Sequence, residues 1–262
     1  MSPTARQSEI VSLVRRHGFQ SIEVLAGHFR VTPQTIRRDV NLLCEARILL
    51  RRHGGAELLE PLNLPYDTRR VTHLEAKRRI AWALRALVHD RASLFFGIGT
   101  TPEQVAYALA DREDLTIVTN NLNVAIAFAG NATHRIVISG GTLRLPDRDI
   151  LGPETEALFA AYRADLGICG VGGIDEDGTL LDFDRAEVRA REALCANCRT
   201  AILVVDASKF GRSAPARGGH LSDVDMLVVD AAPPEPFATR IQEAGIDLRV
   251  AEAEEVPLHG GF

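Results

Sequence analysis

Cysteine is scarce in this chain: four in 262 residues, at positions 44, 169, 195 and 198. So few and so scattered, they exclude the disulfide framework of a small secreted domain. Tryptophan occurs once, as Trp82, and is read as core. No apolar run approaches the roughly 20 residues that a bilayer-crossing helix needs. The N-terminus, MSPTARQSEIVSLVRRHG, places charges where a signal peptide has an unbroken apolar stretch. A cytoplasmic protein without a membrane partner is expected. The eight histidines form no HExxH. The CxxC at Cys195 and Cys198 has no second ligand pair, so the expected metals and cofactors are none.

Net positive charge is also lacking overall, since the formal charge is −5. The deficit is uneven. Residues 1–60 hold nine arginines against six acids, so that segment is +3 and the remaining 202 residues are −8. A cationic module on an acidic body suggests that one part faces nucleic acid.

The first 59 residues support that reading by placement. Ile10, Leu13 and Val14 recur at helical spacing, which predicts a helix over 5–16 that Gly18 ends. Ser21 is a suitable N-cap for a second helix with Val24, Leu25 and Phe29 on its inner face. Arg30-Val31 makes a turn. Thr32-Pro33 then starts a third helix, threonine as cap and proline at the first helical position. Ile36, Val40 and Leu43 form its buried stripe. Gln34, Thr35, Arg37, Arg38 and Asn41 are left for the outer faces. Arginine can bond guanine bidentately, amides can bond adenine, and either can bond phosphate. Residues 48–50 and 56–59 read as a hairpin whose tip is Arg51-Arg52-His53-Gly54-Gly55, a basic wing for the DNA backbone. The expected fold is a winged helix-turn-helix, with Ser21, Thr32, Gln34, Thr35, Arg37, Arg38, Asn41, Arg51, Arg52 and His53 as the DNA-binding set.

The run VTPQTIRRDVNLL followed by RRHGGA resembles the signature of the DeoR family of bacterial transcriptional repressors, and the resemblance covers nearly the whole chain. It implies a non-enzymatic repressor of a carbon-catabolism regulon. Its partners would be double-stranded operator DNA and a phosphorylated polyol or sugar, with glycerol 3-phosphate as the leading effector. Two or four copies are expected, because a palindromic site pairs two recognition helices about one DNA turn apart.

Residues 60–73 hold two prolines and little periodicity, and are read as a linker. From 74 to 262 the pattern predicts an α/β domain: SLFF, LTIVT, RIVIS, DLGICGV, AILVVD and MLVVD are strands, each but the last followed by a glycine- or amide-bearing turn. Apolar strands alternating with helices indicate a mainly parallel sheet covered on both faces. The family resemblance implies a domain similar to ribose-5-phosphate isomerase. Ligands of such sheets bind at the carboxyl ends of the strands. There Gly97-Ile98-Gly99-Thr100-Thr101 leads into a helix and could cradle a phosphate, or could simply be a tight turn. Asn120 and Asn121 offer amides to hydroxyl groups. Gly140, Gly141 and Arg144 offer backbone amides and a cation. Gly172 and Gly173 permit close approach, and Asp206 with Lys209 pairs a carboxylate with an ammonium. In the family the position of Gly97 usually holds an aspartate, which the resemblance assigns to a sugar hydroxyl. Asp182, Asp184 and Glu187 could be the acid/base groups of an isomerase-like enzyme with an accessory DNA module, or the acidic start of a helix. The attached DNA module favours the latter.

Overall fold

The computed structural model describes residues 4–46, 48–58 and 63–252, and the chain divides into two compact units, Met1–Leu62 and Asn63–Phe262. Leu59 of the expected wing strand, positions 60–62 of the expected linker and positions 253–262 of the expected second domain lie outside the described residues.

The first unit runs α1 (Ala5–His17), β1 (Gln20–Ser21), α2 (Ile22–Phe29), α3 (Pro33–Glu45), β2 (Leu49–Arg52) and β3 (Gly55–Leu58). Thr4 and Gln7 cap α1 reciprocally, Ser21 caps α2 through the Val24 amide, and Thr32 caps α3 through the Thr35 amide. Each cap satisfies a backbone donor that the first helical turn leaves open. Ile10, Val14, Leu25, Ile36, Val40, Leu43 and Leu49 close one small core. Three details differ from expectation. Val24 is 58% exposed, and the inner face of α2 is Ile22, Leu25 and Ala26. Arg51 and Arg52 belong to β2, so the hairpin turn itself is His53-Gly54. β1 adds a third strand beside β3. That strand explains Gly55: a Cβ there would lie 2.2 Å from the Gln20 carbonyl oxygen.

The second unit runs α4 (Tyr66–Val71), α5 (Leu74–Arg85), β4 (Ser93–Phe96), α6 (Thr100–Leu109), β5 (Thr116–Thr119), α7 (Leu122–Phe128), β6 (Arg135–Ile138), β7 (Leu143–Arg144), β8 (Asp149–Ile150), α8 (Pro153–Ala160), β9 (Ala164–Cys169), β10 (Gly173–Ile174), β11 (Thr179–Asp182), α9 (Arg185–Ala196), β12 (Cys198–Val205), β13 (Ala216–His220), β14 (Met226–Val229), α10 (Phe237–Glu243) and β15 (Asp247–Val250). Seven strands form one sheet in the order β15-β14-β12-β9-β4-β5-β6, parallel at every pairing. The apolar strands arise because both faces are buried. In β4, Phe95 packs with Phe159 on one face while Phe96 packs with Phe128 on the other. In β12, Leu203 and Val205 face one cluster, and Ile202 and Val204 the other. All six expected strands are present. β15, the antiparallel sheet β10-β11-β13 and the hairpin β7–β8 are additional. Residues 66–71, read as linker, form α4 and bury Tyr66.

Topology places the site. From β4 the chain adds β5 and β6 toward one edge, then crosses to β9 on the other side of β4 and continues outward through β12, β14 and β15. Connections therefore leave β4 and β9 in opposite directions, the arrangement that in such sheets opens a crevice outside the strands' carboxyl ends.

Candidate nucleic-acid interface and candidate effector site

On α3, Gln34, Arg37, Arg38 and Asn41 are exposed and Thr35 is half-buried. Neither Arg37 nor Arg38 meets a carboxylate among the described residues, so both guanidinium groups remain available. Arg37, Arg51, Arg52 and His53 share one concave surface with Ile22 and Glu23. The helix face and the wing thus converge. Their side chains also brace each other: Arg51 donates to the Asn41 amide oxygen, and Arg52 pairs with Glu57 at 2.6 Å. The Ser21 and Thr32 hydroxyls accept from the amides they cap, at 3.1 and 3.3 Å. The sequence reading missed Asp39. It is buried on the inner side of α3, accepting from Arg6 at 2.7 Å and Gln7 at 3.1 Å. Those bonds fix α3 against α1, and nothing local in the sequence marks a contact across 33 residues.

In the second unit, the turn Gly97–Gly99 leaves β4 at the crevice. Gly99 precedes α6 with φ +120°, a conformation that favours glycine, and no side chain caps that helix. The first amides of α6 are therefore open to an anion, reinforced by the helix dipole. Thr100 and Thr101 are buried at this start. Asn120 and Asn121 end β5 next to it, also buried. Asn120 donates to the Ile150 carbonyl at 2.8 Å, and its own side-chain oxygen has no hydrogen-bond partner among the described residues. Asn121 instead works within the fold, capping α7 through the Asn123 amide. Gly140 and Gly141 follow β6 and are exposed.

Asp206 ends β12 and Lys209 follows it on a short turn. Burial would raise the Asp206 carboxyl, but the Ser208 hydroxyl and the Lys209 ammonium hold it below its usual value. Burial, with the like charge of Arg212, lowers Lys209 to about 8. Burial also lowers Lys77 to about 8, although Asp206 counters it. The charges of Lys77, Lys209 and Arg212 thus all act on Asp206, although none is ion-paired with it among the described residues, a net positive setting suited to a further anion. Lys77 and Arg212 were not foreseen, because α5 and the turn after Lys209 reach the crevice only through the tertiary fold.

Two expectations take a different form. Arg144 is not a free cation: it bonds both Asp149 oxygens, at 2.7 and 2.8 Å, and Glu187 at 2.9 Å. Gly172 and Gly173 admit the protein's own chain: a Cβ on Gly173 would lie 1.9 Å from the Arg212 carbonyl oxygen. The three carboxylates of 182–187 are all engaged. Asp184 caps α9 through the Ala186 amide, Asp182 is held by Arg191 and the Gly172 amide, and Glu187 by Arg144 and the Phe183 amide. Gly97 is buried, and a Cβ there would meet Leu194 at 3.5 Å and Cys169 at 3.7 Å, ordinary contacts. Cys195 lies 3.9 Å from Cys169, sulfur to sulfur, and all four cysteines are free. Among the described residues no helix is long and apolar enough to cross a membrane.

Comparison with known proteins agrees with both halves. Residues 6–61 match the DeoR-like helix-turn-helix domain, and residues 72–231 match the DeoR C terminal sensor domain. The glycerol-3-phosphate regulon repressor of Escherichia coli (strain K12) is 46% identical, over 95% of this chain and 100% of that one. The protein of the same name from Haemophilus influenzae is 43% identical, over 89% of this chain and 91% of its own. The HTH-type transcriptional repressor CsqR of Escherichia coli (strain K12) is 34% identical, over 93% and 94%. Ribose 5-phosphate isomerase A of Methanocaldococcus jannaschii aligns over 53% of this chain and 55% of its own at TM-score 0.39 and 15% identity, too slight to argue from. With a winged helix-turn-helix and a parallel-sheet sensor domain both matched in this order, the chain belongs to the DeoR family of transcriptional regulators.

Proposed function

We propose that this protein is a transcriptional repressor that binds a palindromic operator as a homo-oligomer and releases it when a phosphorylated polyol occupies the carboxyl edge of the sheet. The observation that carries this reading is the uncapped start of α6 behind Gly99, outside the carboxyl ends of β4 and β9, together with the cations Lys77, Lys209 and Arg212, of which Lys77 acts electrostatically on Glu103 of that helix. Amides of Thr100 and Thr101 with these cations take the phosphate. The unpartnered side-chain oxygen of Asn120 accepts from a polyol hydroxyl. Arg144, Gly172 and Gly173 shape the walls. In the DNA unit, Arg37, Arg38, Gln34 and Asn41 face bases or phosphates, and Arg51, Arg52 and His53 lie along the backbone. Glycerol 3-phosphate is the effector to test first, given the names of the relatives. No turnover is assigned, because Asp182, Asp184 and Glu187 each hold a structural bond.

Thermal shift against glycerol 3-phosphate, glycerol and a panel of sugar phosphates tests the reading. A ligand at a hundred times its dissociation constant stabilises by about 2.7 kcal/mol. Stabilisation by glycerol 3-phosphate but not by glycerol is expected. Silence across the panel overturns the effector assignment.

A further inference from the structure

α4 is six residues long, too short to persist as a helix by itself. Its contacts therefore decide whether it forms. Tyr66, 3% exposed, donates its phenol proton to Glu103 at 3.1 Å and reaches the Gly99 carbonyl at 3.4 Å. Both acceptors belong to the start of α6. Arg70 pairs with the same Glu103 at 3.2 Å, and that carboxylate is 1% exposed. Arg69 pairs with Asp147, between β7 and β8. Lys77, from α5, donates to the Arg69 and Thr72 carbonyls and so closes the end of α4. Thus the segment that begins four residues after Leu62, the last residue of the DNA-binding unit, is fastened to the loop where the effector's phosphate is placed.

An anion at the first amides of α6 cannot leave this fastening unchanged. It brings negative charge beside the buried Glu103 and competes for Lys77. It also draws on the backbone that carries the Gly99 carbonyl. A switch requires two states, and for α4 they would be this fastened one and a released one.

We propose that Tyr66, through Glu103 and Gly99, is the positioning residue that couples effector binding to DNA binding. This rests on the effector reading given above. Tyr66 touches neither ligand. It transmits occupancy of the Gly99–Thr101 loop to the chain leading into the DNA-binding unit.

The test measures coupling directly. Linkage requires operator DNA and effector to change each other's affinity by the same factor. Glycerol 3-phosphate affinity is measured by calorimetry on the full chain, with and without a duplex selected by the protein from a random-sequence library. In the parent a factor of about ten or more is expected. Tyr66→Phe should bring that factor close to one, while its affinity for each partner alone stays within about threefold of the parent's. Arg70→Ala, which acts on the same Glu103, should do likewise and serves if Tyr66→Phe fails to fold. Arg78→Ala, which loses only the exposed pair with Glu75, should keep the parent's factor. A simple loss of stability would not alter the ratio, so a collapsed ratio with intact affinities supports the coupling role. A Tyr66→Phe or Arg70→Ala protein with the parent's factor overturns it and leaves the effector reading standing. A parent that binds the duplex but neither glycerol 3-phosphate nor inorganic phosphate overturns both.

Discussion

Arg37 and Arg38 stand side by side on α3, and neither is neutralised among the described residues. Each is expected to contribute to operator binding. Replacing either with alanine should weaken the complex by about 1–3 kcal/mol in a gel-shift titration and leave the thermal shift with glycerol 3-phosphate unchanged. A mutant with the parent's operator affinity would remove that arginine from the interface. In the sensor unit the lysines set a pH dependence. Lys77 and Lys209 carry their protons until about pH 8, against an ordinary value near 10.5. An anion needs the protonated form, so effector affinity should hold up to about pH 8 and then fall, by up to about tenfold per unit for each lysine required. Binding that stays constant to pH 10 would show that the phosphate rests on the α6 amides and Arg212 without either lysine. Folding behaves oppositely. Because the folded values are depressed, the unfolded chain binds more protons between about 8 and 10.5, and these two lysines make stability rise across that window.

Among the elements, the wing depends on how closely β3 approaches β1. Gly55→Ala drives a methyl into the Gln20 carbonyl, 2.2 Å away, and into the Phe19 ring at 2.7 Å. A loss of about 2 kcal/mol or more is expected in denaturant unfolding. A variant as stable as the parent would show that β1 can detach freely. Such elements differ in how far the sequence reveals them. α3 was legible apart from its buried Asp39, because its cap, its proline and its Ile36-Val40-Leu43 stripe are all local signals. The six core strands were legible because both faces demand apolar residues. α4 was not, since its formation depends on Glu103, Asp147 and Lys77 far along the chain. β15 was hidden by its own position: at the sheet edge, Asp247 and Arg249 replace the apolar run. Val24 kept helical spacing yet faces outward, because three apolar residues of α2 already fill the inner stripe. At the candidate site, glycine turns and amides were visible, but the engagement of Arg144 by Asp149 and Glu187 was not. A cation in a sequence shows no partner until the fold brings one.

At the scale of the molecule, charge is divided: +3 on the first 60 residues and −8 on the rest. DNA attraction therefore rests on a few arginines against a repelling body. Operator affinity should fall steeply with salt, with a log–log slope of about −0.9 for each phosphate neutralised. Losing Arg51 and Arg52 together should flatten that slope by about 1–2. An unchanged slope would place the wing away from the backbone. The two units also differ in how far their pairings reach. In the first, among the described residues, strand pairing reaches no farther than Gln20 to Ala56. In the second, the central pair of the sheet joins Leu94 to Leu166, and β14 must still arrive beside β12. Long-range parallel pairing is slow to form, and chains fold from the N-terminus during synthesis. On the ribosome, therefore, the part that grips DNA is finished while the part that hears the metabolite is still being made. For that interval the chain carries a finished helix-turn-helix without the domain that would govern it.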